Sequence, residues 1–190
     1  PTTDLDAQGV KELMRQLDVV TMPVVNENRH LEGLITNSDI AYSYMDILDN
    51  RILSRARTQY KNIVETIQGT LQCGNPHARF TKGKVVVATG NRDAMRREIE
   101  QDDLVVVGNI RERQMIALER DAACIVICGE NQVDEEVLRL ARQQECVLIT
   151  TEYDAFTTAR LIHQSIPIRF FMTKDNIISF QLDDYVDYVQ

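Results

Sequence analysis

The sequence predicts an α/β fold, a mostly parallel sheet covered by helices on both faces, and three observations predict it. Four short apolar runs rich in β-branched residues, "VVVAT", "LVVVG", "CIVIC" and "CVLIT", begin at Val85, Leu104, Cys124 and Cys146. Amphipathic helical segments separate them: "RDAMRREIEQ", "RERQMIALER" and "DEEVLRLARQQ", with "DAFTTARLIHQ" after the last. The runs are continuously apolar rather than alternating, which is the pattern of strands buried on both faces.

Before this unit the rhythm differs. The spacing Leu5, Val10, Leu13, Met14 and Leu17 predicts a helix with Thr3 or Asp4 as its N-cap. Strands follow at Met22 to Asn26 and Leu31 to Thr36 around the turn "NENRH", then a helix from Ser38 to about Leu48. The first fifty residues thus read helix, strand, strand, helix. A polar stretch, "DNRILSRARTQ", leads to a helix near Tyr60 to Gln68. Near the other end Asp183, Val186 and Val189 repeat the spacing of Asp4, Ala7 and Val10, as if a second copy of the first module were beginning. With Pro1 almost inside a helix signal, the chain reads as a piece of a longer polypeptide.

Composition narrows the function classes. The 190 residues are 44% hydrophobic and 26% charged, typical of a globular chain. The net charge of −8 repels phosphate backbones and argues against nucleic acid as a partner. No apolar run approaches the roughly 18 to 20 residues of a membrane span. Cys73, Cys124, Cys128 and Cys146 form no CxxC pair and read as reduced thiols of a cytoplasmic protein. His30, His77 and His163 lack partners at metal-ligand spacing; His163 reads as a favourable charge near a helix C-terminus. There is no GxGxxG, P-loop or GxSxG motif, and Asp102-Asp103 and Asp183-Asp184 read as caps at element starts. Gly90-Asn91, Gly108-Asn109 and Gly129-Glu130-Asn131 gather at one sheet edge, where ligands of open α/β sheets bind, but with one Gly per turn they read rather as tight turns in which Asn caps the next helix. Nothing assembles a nucleophile, a base and an oxyanion stabiliser, so the chain reads as a binding module rather than an enzyme.

One stretch poses a sharper question. In "LEGLITNSDIAYSYM" a strand breaks at Thr36-Asn37-Ser38-Asp39 into a helix. Those residues either cap the helix or hold something bearing hydroxyl groups, since a carboxylate and a threonine hydroxyl suit both tasks.

The segment Gly33-Leu34-Ile35-Thr36-Asn37-Ser38-Asp39-Ile40, with the helix and the Pro23 strand before it, resembles a CBS domain and its Gly-x-x-Thr/Ser-x-x-Asp signature. The resemblance implies an adenine nucleotide whose ribose is held by Thr36 and Asp39, next to Asn37, with Met22 and Pro23 flanking the base. The middle of the chain, and "LITTEYDAFTTARLIHQSIPIRFFMTKDNII" in particular, resembles the DRTGG domain of the regulatory insert of family II (manganese-dependent) inorganic pyrophosphatases. The naming motif is degenerate: Asn109-Ile110 stand for Asp-Arg, and Cys128-Gly129-Glu130 for Thr-Gly-Gly.

The implied organisation is a CBS domain lacking its first strand over 1–57, a DRTGG domain over 58–167, and the start of a second CBS domain over 168–190. The implied function is regulation of an attached pyrophosphatase, inhibited by AMP or ADP and activated by ATP or diadenosine polyphosphate. Manganese belongs to catalytic domains absent from this chain, and no DHH tripeptide occurs in it. A homodimer is expected. The competing expectation is a ligand-free dimerisation scaffold.

Overall fold

The computed structural model describes residues 1–45, 49–174 and 177, the side chains of 42–45 excepted. The sheet unit follows the prediction. Strands β6 (Val85–Val87), β7 (Leu104–Gly108), β8 (Cys124–Cys128) and β9 (Val147–Thr151) pair in parallel in that spatial order. A fifth strand that the sequence reading missed, β4 (Thr70–Cys73), closes the far edge antiparallel to β9. Its register slips between Leu71 and Cys73, and its residues are only partly buried.

Alternation along the strands divides the interior in two. Leu104, Val106, Cys124, Val126 and Ile149 face a core with α3 (Ile52–Arg55), α4 (Tyr60–Thr66) and α8 (Ala155–Ile162). Val105, Val107, Ile125, Ile127 and Leu148 face α5 (Arg92–Glu98), α6 (Arg111–Glu119) and α7 (Glu135–Gln143). The result is a three-layer α/β/α arrangement whose inner strands are buried on both faces. The two-residue strands β3 (Thr58–Gln59) and β5 (Arg79–Phe80) form a separate ribbon. Ile52, Leu53 and Ala56, inside the stretch read as polar, also pack into the first of these cores.

The N-terminal module has its own core. Helix α1 (Ala7–Leu17) starts at Asp6, not Thr3 or Asp4: the Asp6 carboxylate accepts the Gly9 N–H at 2.7 Å, and Asp18 ends the helix in the left-handed region. Asp4 is used elsewhere. It pairs with Arg79 at 3.2 Å and with Arg169, which also donates to the carbonyls of Ala56 and Arg57.

Strands β1 (Thr21–Val25) and β2 (Leu31–Thr36) form an antiparallel hairpin. Asn26, expected in the first strand, belongs to the turn, where its side-chain oxygen accepts the N–H groups of Asn28 and His30. Helix α2 (Asn37–Met45) follows immediately, one residue earlier than expected; Leu48, its expected end, lies outside the described residues. Val10, Met14, Met22, Val24, Ile35 and Ile40 fill the core together with Ile168 and Met172 from the far end of the described chain. That returning segment runs beside β2, where Leu34 and Thr173 exchange both main-chain hydrogen bonds at 3.0 and 2.9 Å. The repeat at Asp183, Val186 and Val189 also lies outside the described residues.

Candidate functional site at the strand–helix junction

Thr36 ends β2 and occupies the N-cap position of α2, while Asp39 is its third residue. The two bond each other. Asp39 Oδ2 accepts the Thr36 N–H at 2.7 Å and the Thr36 hydroxyl at 2.8 Å, and Thr36 Oγ1 accepts the Asp39 N–H at 3.3 Å. This is the reciprocal arrangement of a capping box, with an aspartate in the acidic position. Both side chains remain partly exposed, and Asn37 and Ser38 are exposed.

Register decides what else can join them. Thr21 pairs with Thr36, Met22 with Ile35, and Pro23 with Leu34. Because successive side chains alternate, Pro23 and Thr36 share the outward face, while Met22 and Ile35 point into the core. Pro23 is exposed, whereas Met22 is 8% exposed and packs inside. Of the five expected site residues, Thr36, Asn37, Asp39 and Pro23 stay accessible, and Met22 offers only its main chain.

Gly33 has a structural reason of its own. A Cβ there would sit 2.7 Å from the Thr173 carbonyl oxygen and 2.9 Å from Met172 Sδ. The signature glycine lets the returning chain pair with β2, whether or not a ligand binds.

The carboxyl edge of the sheet differs from expectation in two of its three Asn turns. Asn91 does cap α5, accepting the Ala94 N–H at 2.9 Å. Asn109 and Asn131 instead donate to Glu130 (2.9 Å) and Glu152 (2.7 Å), tying neighbouring turns together. Asp134 caps α7 in place of Asn131, and main-chain N–H groups, that of Val137 foremost, hold its carboxyl below the usual range. Only Gly129 of the three glycines takes a positive φ, of 77°.

Asp103 is no surface cap. Fully buried, it accepts the main-chain N–H groups of Lys84 (2.9 Å) and Glu100 (2.8 Å) and the Lys84 ammonium (3.0 Å). His163 is not the expected helix-end cation: burial lowers its pKa below the ordinary value, against the pull of Asp49, and favours the neutral ring.

The cysteines are free thiols, with Cys124, Cys128 and Cys146 buried and Cys73 half-buried. Burial raises all four, Cys146 to about 12, which leaves no thiolate poised for attack at neutral pH. Among the described residues, no group of three His, Cys, Asp or Glu side chains is placed to hold a metal ion. No described helix is long and apolar enough to cross a membrane.

A degenerate motif, a parallel sheet between two helical layers and a strand–helix hairpin module beside it define the class: the chain belongs to the DRTGG domain family, whose model matches residues 62–165. Nearly its whole length resembles the CBS–DRTGG regulatory region of family II inorganic pyrophosphatases. A crystal structure of the CBS and DRTGG domains of the regulatory region of Clostridium perfringens pyrophosphatase, complexed with the activator diadenosine tetraphosphate, matches with a TM-score of 0.92. It is 32% identical over 99% of this chain and 82% of that one.

The cobalt-dependent inorganic pyrophosphatase of C. perfringens is 34% identical over 94% of this chain. The probable manganese-dependent inorganic pyrophosphatase of Thermotoga maritima is 27% identical over 91%. The chain spans about a third of the length of each, 32% and 31%. The uncharacterized protein YtoI of Bacillus subtilis is 34% identical over 56% of this chain and 24% of its own length.

Proposed function

We propose that this chain is an adenine-nucleotide-sensing regulatory region that controls an inorganic pyrophosphatase whose catalytic domains lie elsewhere in the same polypeptide. The observation that carries the reading is the match over 99% of the chain to a regulatory region crystallised with diadenosine tetraphosphate. The ribose hydroxyls would donate to the Asp39 carboxylate and exchange hydrogen bonds with Thr36. The base would lie over Pro23 and the Met22 main chain, and the phosphates near Asn37 and the N-terminus of α2. A carboxylate has lone pairs beyond those used in the capping box, and a nine-residue helix offers N–H groups and a positive dipole end to an anion.

In this reading, residues 1–57 form the first CBS domain, 58–167 the DRTGG domain and 168–190 the start of a second CBS domain. AMP and ADP inhibit, while ATP or diadenosine polyphosphate activates, by favouring different packings of paired CBS domains. The assembly is a cytoplasmic homodimer. The relatives are named for cobalt in one case and manganese in the other, and that metal is assigned to the catalytic domains.

The alternative, a ligand-free scaffold, draws on the capping box and on the contact between Gly33 and Thr173, both of which are complete without a ligand. Calorimetric titration with AMP, ATP and diadenosine tetraphosphate separates the two. Asp39→Asn keeps an acceptor for the cap but removes the carboxylate. A sensor loses at least tenfold in affinity with the same melting temperature. Binding unchanged by the substitution refutes the assigned site, and no binding by either form leaves the scaffold.

A further inference from the structure

A concavity lies at the amino end of the parallel strands, away from the Thr36–Asp39 junction and independent of the nucleotide reading. It is a cleft of about 820 Å³ between the ends of α5–α7 and the loop after β4, inside the ~300–1,000 Å³ range of small-molecule sites. We propose that this cleft binds a small organic cation of the polyamine class, held by Tyr60, Asp102, Asp121 and Glu145.

Tyr60 is the first observation. The residue is 5% exposed, with the ring tilted against Phe80 and the main-chain N–H bonded to the Ala78 carbonyl, yet it lines the cleft and its hydroxyl makes no hydrogen bond among the described residues. With the ring enclosed in protein and no partner for the hydroxyl among those residues, the polar tip is the part of Tyr60 left to meet a donor in the cleft. Burial raises the phenol's pKa, so at neutral pH it keeps its proton and offers lone pairs to an ammonium donor.

Charge is the second. Asp102, Asp121 and Glu145 line the cleft, and none of their carboxylates makes an ion pair or hydrogen bond among the described residues. Each lies two or three residues before one of the adjacent strands β7, β8 and β9, whose spacing is about 4.8 Å. The C-terminal ends of the nine-residue helices α6 and α7 add negative potential.

Of the two cleft arginines, Arg79 is already committed to Asp4, and only Arg142 makes no ion pair. The balance repels phosphates and favours amines. Shape is the third: Ala122 and Ala141 are buried beneath the cleft and Ala123 half-buried, leaving apolar ground for methylene groups between ammonium groups. A ligand alternating ammonium and methylene groups fits that alternation of carboxylate and alanine.

The test is calorimetric titration of the chain with spermidine at moderate salt, beside Tyr60→Phe, the pair Asp102→Asn/Asp121→Asn, and Asp39→Asn. Asn tolerates the left-handed conformation that Asp102 and Asp121 adopt, with φ of 67° and 54°, so the pair should fold. The expected result is one saturable site per chain, weakened severalfold by Tyr60→Phe and at least tenfold by the double substitution, and unchanged by Asp39→Asn. Circular dichroism melts keep loss of fold apart from loss of binding. If a variant unfolds, protection of the Ala122 and Ala123 amides from hydrogen exchange in the wild type decides, and spermidine must increase it. No saturable heat overturns the proposal. So does equal affinity in all variants, which would mark diffuse attraction to a surface of net charge −8.

Discussion

Replacing Gly33 by Ala tests why the signature glycine is there. The new Cβ would meet the Thr173 carbonyl oxygen at 2.7 Å and Met172 Sδ at 2.9 Å. The first contact is with main chain, which can yield only by moving the segment. Separating it from β2 breaks the two hydrogen bonds between Leu34 and Thr173, worth about 1–3 kcal/mol together. It also lifts Met172, 7% exposed, from the core it shares with Met22 and Ile35. Against this, Ala restricts the unfolded chain and returns about 0.4–1 kcal/mol, since Gly33 has no positive φ.

The net is a destabilisation of about 1–2 kcal/mol. At a urea slope of about 2 kcal/mol/M that lowers the midpoint by about 0.5–1 M. Hydrogen exchange should quicken at the Leu34 and Thr173 amides, while Asp39, inside its capping box, keeps its protection. A midpoint equal to or above that of the wild type would refute the packing account of Gly33.

Three further outcomes follow from buried polar groups and the cap. Asp103→Ala leaves the Lys84 ammonium, 17% exposed, without one of its two carboxylate partners and orphans two main-chain donors. Urea unfolding should show a loss of about 3–5 kcal/mol.

Asp6 has its pKa raised, chiefly by burial, so the folded state holds that proton more tightly than the unfolded chain. Its contribution to stability therefore declines as pH rises from about 4 through the raised value. Asp6→Asn, which keeps an N-cap acceptor, should flatten that slope in melting temperature against pH. An unchanged slope would exclude Asp6 as its source.

Thr36→Ala removes one side of the capping box and should cost about 0.5–2 kcal/mol. An effect near zero in thermal melts would mean that the box contributes nothing.

The parallel sheet was legible because its strands are buried on both faces, and Val105 to Val107 or Ile125 to Ile127 admit little else. The antiparallel edge strand was not. "TLQC" is partly exposed, short and irregular in register, so its pairing depends on β9 rather than on its own pattern. Ile52 and Leu53 were hidden among arginines, although four helical residues suffice to deliver both to the core. Asp4 and Asp6 look alike as caps; only the positions of Arg79 and Arg169, far away in sequence, assign Asp4 to the junction. Asn109 and Asn131 follow the same rule, since each is claimed by a glutamate from a neighbouring turn.

At the candidate site, the resemblance singled out Thr36 and Asp39, which the fold joins in a capping box, and it set Met22 beside Pro23, although the alternation along β1 turns Met22 inward. The reason for Gly33 was not legible, because Thr173 lies 140 residues away along the chain.

The central claim, that the Thr36–Asp39 junction receives the nucleotide, is tested most directly by titrating ¹⁵N-labelled chain with diadenosine tetraphosphate and following the amide resonances. The account predicts saturable shifts concentrated at Thr21 to Val24 and Thr36 to Asp39, abolished by Asp39→Asn. Shifts confined to the sheet's carboxyl edge around Gly108 and Gly129, or none at saturating ligand, would contradict it.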